Sequence, residues 1–88
     1  MGCCFKAIGD EKRRKILSIL AKRSATAGEI ARRFKISQPT VSNHLRILKE
    51  AGLIRERKVA QNRIYYLNRS RLRKVINSLE AILKEHRD

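Results

Sequence analysis

The residues best suited to recognition chemistry in this chain form a run of short polar side chains, Ser37-Gln38-Pro39-Thr40-Val41-Ser42-Asn43-His44-Leu45-Arg46. Set on a helix at 100° per residue, Val41, Leu45 and Leu48 share one stripe, while Pro39, Ser42, Asn43 and Arg46 lie opposite. Gln38 and Thr40 stand at the N-terminal end. Gln and Asn can bind adenine through two hydrogen bonds and Arg can do so with guanine, so this face can read base edges in a major groove. A merely solvated helix face is filled with Lys and Glu, which occur here only toward the far end, as Lys49 and Glu50. The candidate base-reading set is Ser37, Gln38, Thr40, Ser42, Asn43, His44 and Arg46. Within it His44 sits on the flank, as a packing or DNA-contacting residue and not as a metal ligand.

A second cluster follows at Arg55, Arg57, Lys58, Gln61, Asn62 and Arg63. Cations on a hairpin protect its edges from aggregation. Beside a base-reading helix, Arg57, Lys58, Gln61, Asn62 and Arg63 also suit a wing that grips phosphates or enters the minor groove.

Charge points the same way. Against 22 Lys and Arg the chain has 8 Asp and Glu, a net charge of +14. Such self-repulsion is relieved by a polyanion, and neutralising phosphates releases condensed counterions. Double-stranded DNA is the expected partner. An anionic membrane surface competes, but no segment approaches the ~18 consecutive apolar residues of a membrane span, and no secretory signal is expected. Met1-Gly2-Cys3-Cys4 resembles an acylated N-terminus, yet the acylation pattern wants Ser or Thr where Lys6 stands. The expected location is the cytoplasm, in association with the nucleoid. For an enzyme the chain offers no carboxylate pair in a plausible cleft, no phosphate-cradling Gly-rich loop and no nucleophile–base set. No catalysis, cofactor or small-molecule substrate is expected.

The elements that must position these residues are legible from caps and periodicity. Phe5 to Ile8 reads as a short helical piece ending at Gly9. Asp10 caps a helix running through Lys22, with Ile16, Leu17, Ile19 and Leu20 on its apolar side. Thr26-Ala27-Gly28-Glu29 is a capping-box pattern that opens a helix ending near Lys35. Ser37 caps the next helix, Pro39 is tolerated in its first turn, and Gly52 suits its left-handed end. Leu53 to Arg57 and Arg63 to Leu67 read as strands joined by an irregular turn over 58–62, with at least one of Tyr65 and Tyr66 in the core. Asn68 or Ser70 caps a last helix to about His86.

The order α-α-α-α-β-β-α is that of a winged helix-turn-helix. The expected fold class is mainly α with a small β-hairpin (α+β), in one domain over 1–88. The helix-turn-helix covers about 26–51, the wing about 53–67 and a dimerisation helix about 69–86. A domain of this size has little core to spare. The stripe Leu72, Val75, Ile76, Leu79, Ile82 and Leu83, aided by Phe5 and Ile8, is the expected homodimer surface. The competing reading closes that stripe over its own domain.

Several runs carry a family resemblance: Phe5-Lys6-Ala7-Ile8-Gly9-Asp10, Arg13-Arg14-Lys15-Ile16-Leu17, and Ile36 through Leu48 with its Ser-Gln-Pro-Thr-Val-Ser-x-His-Leu core. With Ala51-Gly52-Leu53-Ile54 and Tyr65-Tyr66-Leu67-Asn68, nearly the whole chain resembles the ArsR/SmtB family of bacterial and archaeal repressors. The resemblance implies a winged-helix homodimer, joined through first and last helices, that binds an imperfect inverted repeat and blocks transcription. It also implies that Gln38, Thr40, Ser42 and Asn43 meet DNA. Glu11 stands where many members have Pro.

Many members of that family release DNA on binding metal. Where one family site has Cys-x-Cys, this chain has Thr26 and Gly28, and neither replaces a thiolate. The second site would need Asp at Arg73 and His at Val75 if His86 were its last ligand. A member without those metal sites is expected. Cys3 and Cys4 remain candidate redox thiols that could meet across a dimer, and the plainer reading makes them exposed terminal thiols. Against the repressor stands one other class of DNA binder, a non-specific architectural protein of nucleoid type, which would show a steep salt dependence without sequence preference.

Overall fold

The computed structural model describes residues 2–85, as α1 (Gly2–Ile8), α2 (Glu11–Lys22), α3 (Ala27–Phe34), α4 (Gln38–Glu50), β1 (Ile54–Val59), β2 (Asn62–Leu67) and α5 (Arg69–Glu85). Among the described residues, helices α2 to α5 each begin at a side chain that satisfies backbone donors the helix itself leaves open. The Asp10 carboxylate accepts from Arg13 N at 3.1 Å and starts α2. Thr26 and Glu29 close a reciprocal capping box at α3. Ser37 caps α4, and Asn68, through Oδ1 and Arg71 N at 3.3 Å, caps α5. Between Asn68 and Ser70 the structure thus selects Asn68. The sequence places the end of α5 at His86, which lies outside the described residues.

The core is where α2, α3, α4 and the base of the wing meet. Ile16, Ile30, Val41, Leu45, Leu48, Leu53 and Ile54 are all buried there. Three corrections to the sequence reading follow. Helix α1 begins at Gly2, not Phe5, which carries Cys4 into that core with no exposure; it is no terminal bystander. Val75 is 1% exposed and belongs to the protomer's own core, so it is unavailable to a partner. Phe5, Ile8 and Leu72 also pack against this core while staying partly accessible.

The wing is longer and tighter than its sequence suggests. Antiparallel pairing runs from Ile54↔Leu67 to Val59↔Asn62, which leaves Ala60 and Gln61 alone in the turn. Ala60 adopts φ 57°, the left-handed conformation that hairpin turns need and that Gly or Asn would supply at lower cost. Outside the strands, Ala25 pairs with Tyr65 in an isolated antiparallel bridge, with N–O distances of 3.0 and 2.8 Å. The connection between α2 and α3 is thereby stitched to the wing.

Helix α5 overhangs the rest. The longest dimension is 54 Å against 24 and 21 Å across, and the radius of gyration is 14.3 Å. A compact chain of this length would have about 12 Å. Among the described residues no helix is long and apolar enough to cross a membrane.

Candidate nucleic-acid interface

Helix α4 is aimed by the elements around it. Lys35 ends α3 in a left-handed conformation at φ 57°, and two residues later Ser37 restarts the chain as α4. The far end is closed by a Schellman motif: Leu53 N donates to Leu48 O at 3.1 Å and Gly52 N to Lys49 O at 2.9 Å. Gly52 has φ +78°, and a Cβ there would lie 3.2 Å from the Arg71 guanidinium carbon. Val41, Leu45 and Leu48 are buried, which fixes the rotation of the helix. Gln38, Pro39, Thr40, Ser42, Asn43 and Arg46 consequently stand exposed to solvent.

The outer face is ordered rather than loose. Ser37 and Thr40 share a hydroxyl–hydroxyl hydrogen bond of 2.8 Å. Arg46 Nη2 donates to Asn43 Oδ1 at 2.9 Å, and Nη1 to the Glu50 carboxylate at 3.2 Å. Two candidate base readers therefore hold each other, with Glu50 one turn behind as counter-ion. Exposed pairs of this kind contribute little and can be exchanged for a ligand. His44 differs from the rest. It is half-buried, and its Nδ1 lies 3.4 Å from Arg13 Nη1 of α2. The structure sets it apart from the outer face.

Cross-strand partners share a face of the wing. Glu56, Lys58, Arg63 and Tyr65 therefore lie on one side, and Arg55, Arg57, Ile64 and Tyr66 on the other. Glu56 accepts from Lys49 of α4 and, at 3.3 Å, from Arg63. The hydrogen bond from Lys49 is the largest cause that holds its carboxyl below the usual glutamate range, and that from Arg63 adds to it. Arg63 is thus a neutralised cation, which its spacing does not reveal. Burial pushes the Tyr65 phenol above its ordinary value. The Arg57 guanidinium rests 5.9 Å from the Tyr66 ring centroid, a cation–π contact. Lys58, Gln61 and Asn62 are exposed at the tip.

Helix and wing enclose a groove of about 420 Å³, where Gly28, Gln38 and Ser42 face Gln61, Asn62 and Arg63. A Cβ at Gly28 would come within 3.5 Å of Gln38 Oε1, so a side chain there would narrow it. Sequence reasoning missed Thr26 and Gly28 as parts of this groove. Their signal, the capping box, announces a helix start and nothing of what lies opposite.

The other predicted surface lies along α5. Leu72 and Ile76 are half-buried, and exposure then climbs through Leu79 (45%), Ile82 (55%) and Leu83 (78%). The two cysteines do not share an environment. Cys3 is exposed, whereas the Cys4 thiol donates to Ala51 O at 3.1 Å and receives Arg71 Nη1 at 3.8 Å. At the positions corresponding to metal ligands, Thr26 is spent on its cap and Val75 on the core. Among the described residues no three His, Cys, Asp or Glu side chains cluster as a metal site.

Comparison with known proteins adds to this geometry. The sequence pattern described as "Bacterial regulatory protein, arsR family" matches residues 10–56. The chain is 47% identical to the transcriptional repressor SdpR of Bacillus subtilis over 88% of its length and 86% of that relative. It is 38% identical to an uncharacterized HTH-type transcriptional regulator of Methanocaldococcus jannaschii, with 89% of each chain covered. An ArsR-like transcriptional regulator from Rhodococcus sp. RHA1 superposes with a TM-score of 0.85 at 31% identity, over 96% of this chain and 79% of that one.

Proposed function

The chain belongs to the arsR family of bacterial regulatory proteins, and on that premise we propose that it is a sequence-specific transcriptional repressor. It binds an inverted-repeat operator in double-stranded DNA as a homodimer. The observation that carries this reading is the exposed polar face of α4, second helix of the helix-turn-helix, standing beside a cationic wing. Repression is the activity named for SdpR.

The mechanism is occupancy, without catalysis and without a cofactor. Gln38, Thr40, Ser42, Asn43 and Arg46 meet base edges, where a good bidentate pair discriminates by about 1–3 kcal/mol. Ser37 contributes from the cap position. Arg57, Lys58, Gln61 and Asn62 hold the backbone and set the register without reading sequence. Arg63 serves by keeping Glu56 neutralised beside them. The helix-turn-helix of 26–51 and the wing of 53–67 form the DNA half of the molecule. The stripe from Leu72 to Leu83, with Phe5 and Ile8 at its base, joins two copies and pairs their recognition helices. The protein acts in the cytoplasm, on the nucleoid.

Selection of bound sequences from random duplexes tests this, followed by salt-dependent fluorescence anisotropy on the winner and a scrambled control. A palindromic winner bound at least ~1000-fold more tightly than the control is expected. Equal binding of both, with one steep salt slope, would overturn the repressor and leave a DNA-coating protein.

A further inference from the structure

Not all cations of this chain are free. Arg13, Arg14 and Arg69 donate to the carbonyls of Ala7, Ile8 and Ala21 at 2.7, 2.6 and 2.6 Å. Arg46 and Arg63 are paired with glutamates. Lys22, Arg23, Arg32 and Arg33 make no side-chain hydrogen bond or ion pair among the described residues, although Arg23 and Arg32 lie near enough to Glu29 to help hold its carboxyl below the usual range. These four rim one groove of about 390 Å³ between α2 and α3, floored by Ile19 and Ile30. Its acid is Glu29, already held by the capping box through Thr26 N at 2.8 Å.

The groove is continuous with the interface described above on two sides. Its Ala25 is the residue that pairs with Tyr65 of the wing. Arg32 Nη1 lies 3.7 Å from the point where a Gly28 Cβ would stand, and Gln38 Oε1 lies 3.5 Å from the same point. The cationic rim therefore runs on from the start of α4. Ala25 and Ile30 are already buried by the protomer, and long cationic side chains supply apolar stems of their own. Among the groove's Ile and Ala residues Ile19 alone keeps partial exposure. Four free cations alongside a base-reading face call for phosphates.

We propose that the α2–α3 groove, through Lys22, Arg23, Arg32 and Arg33, binds the phosphate backbone of DNA flanking the base pairs read by α4. The proposal rests on the DNA-binding reading and extends its footprint beyond α4 and the wing, to the end of α2 and the α2-facing side of α3. Such contacts are blind to sequence and add to the salt dependence, by about 0.9 in the log–log slope for each phosphate neutralised.

The test uses the full chain, the selected site as a short duplex, and the same site extended by about one helical turn on each side. The variant is Lys22→Gln/Arg23→Gln/Arg33→Gln, which leaves Arg32 beside Gln38 untouched. The wild type should bind the long duplex more tightly than the short one. The variant should lose that gain, bind the long duplex at least ~10-fold more weakly, and show a salt slope smaller by about 3–5 per dimer. Its affinity for the short duplex should fall less than its affinity for the long one, and Arg23→Lys/Arg33→Lys should behave as wild type. A wild type indifferent to length, or a variant that keeps the gain, overturns the proposal. If the wild type fails to tell the selected site from a scrambled one, the sequence-specific reading falls. The length gain and its loss in the variant then still decide the groove.

Discussion

Helices α4 and α5 are both amphipathic, yet they finish their apolar stripes differently. In α4 the stripe of Val41, Leu45 and Leu48 is sealed inside its own protomer, and the outer face is polar apart from Pro39. In α5 burial stops at Val75, and the remaining stripe is progressively bare to Leu83. The contrast teaches which partner each helix needs. A helix whose hydrophobic demand is met can offer hydrogen bonds to DNA. One that leaves a Leu79, Ile82 and Leu83 ridge in water offers a protein surface, and the proposed dimer covers it with the same ridge of a second copy.

The largest effect should come from reversing that division on α5. Leu79→Glu puts a charge in the proposed seam and should give monomers in analytical ultracentrifugation, with affinity for an inverted repeat reduced by orders of magnitude. An unchanged dimer would move the seam elsewhere. Next, Asn43→Ala should erase discrimination among single-base variants of the site by about 1–3 kcal/mol. It also releases Arg46 from its 2.9 Å tether, so some non-specific affinity should persist. If affinity fell equally on every duplex, α4 would be gripping phosphates rather than reading bases.

Lys58→Ala should weaken all duplexes alike and lower the salt slope by about 1 per protomer. Glu56→Gln should do the reverse, because it frees Lys49 and Arg63 and removes a negative charge from the wing. Acid should mimic it. The folded carboxyl sits below its ordinary value of 4.5, so the contribution of this network is present above that value. It is lost as pH falls below it through the folded pKa. A wing insensitive to Glu56→Gln would mean that its cations do not touch DNA. The smallest effect is expected at Ala60→Gly, which relieves the left-handed turn residue and should stabilise by up to about 1 kcal/mol in chemical denaturation.

Much of this was readable from sequence because it is local. Asp10, Thr26, Ser37 and Gly52 mark their helix ends through residues three or four positions away, and the α4 stripe follows from a 3.6-residue period. What escaped depends on distance along the chain. Cys4 is buried through a bond to Ala51, 47 residues on, which no window around a terminal Gly-Cys-Cys can reveal. Val75 obeys the same periodicity as Leu79, and only the packed fold shows where α5 leaves its own core. Arg63 looked free because Glu56 faces it from the other strand. The hairpin's extent was hidden because Ala60, and not Gly, takes the left-handed turn.

One junction ties the two contrasted helices together. At the end of α4, the Cys4 thiol holds Ala51 O, Asn68 Nδ2 holds Gly52 O at 2.8 Å, Asn68 N holds Leu53 O at 2.9 Å, and Arg71 lies over Gly52. Asn68 is also the cap of α5. There is no slack hinge between the rod proposed to read DNA and the rod proposed to meet its twin. In a pair joined through α5, each protomer then swings as one jaw of a caliper whose opening is set at the seam. Such a gauge tolerates little change in half-site separation. One inserted base pair shifts the second half-site by about 3.4 Å and turns it by about 35°, and the far jaw meets backbone where it had met bases.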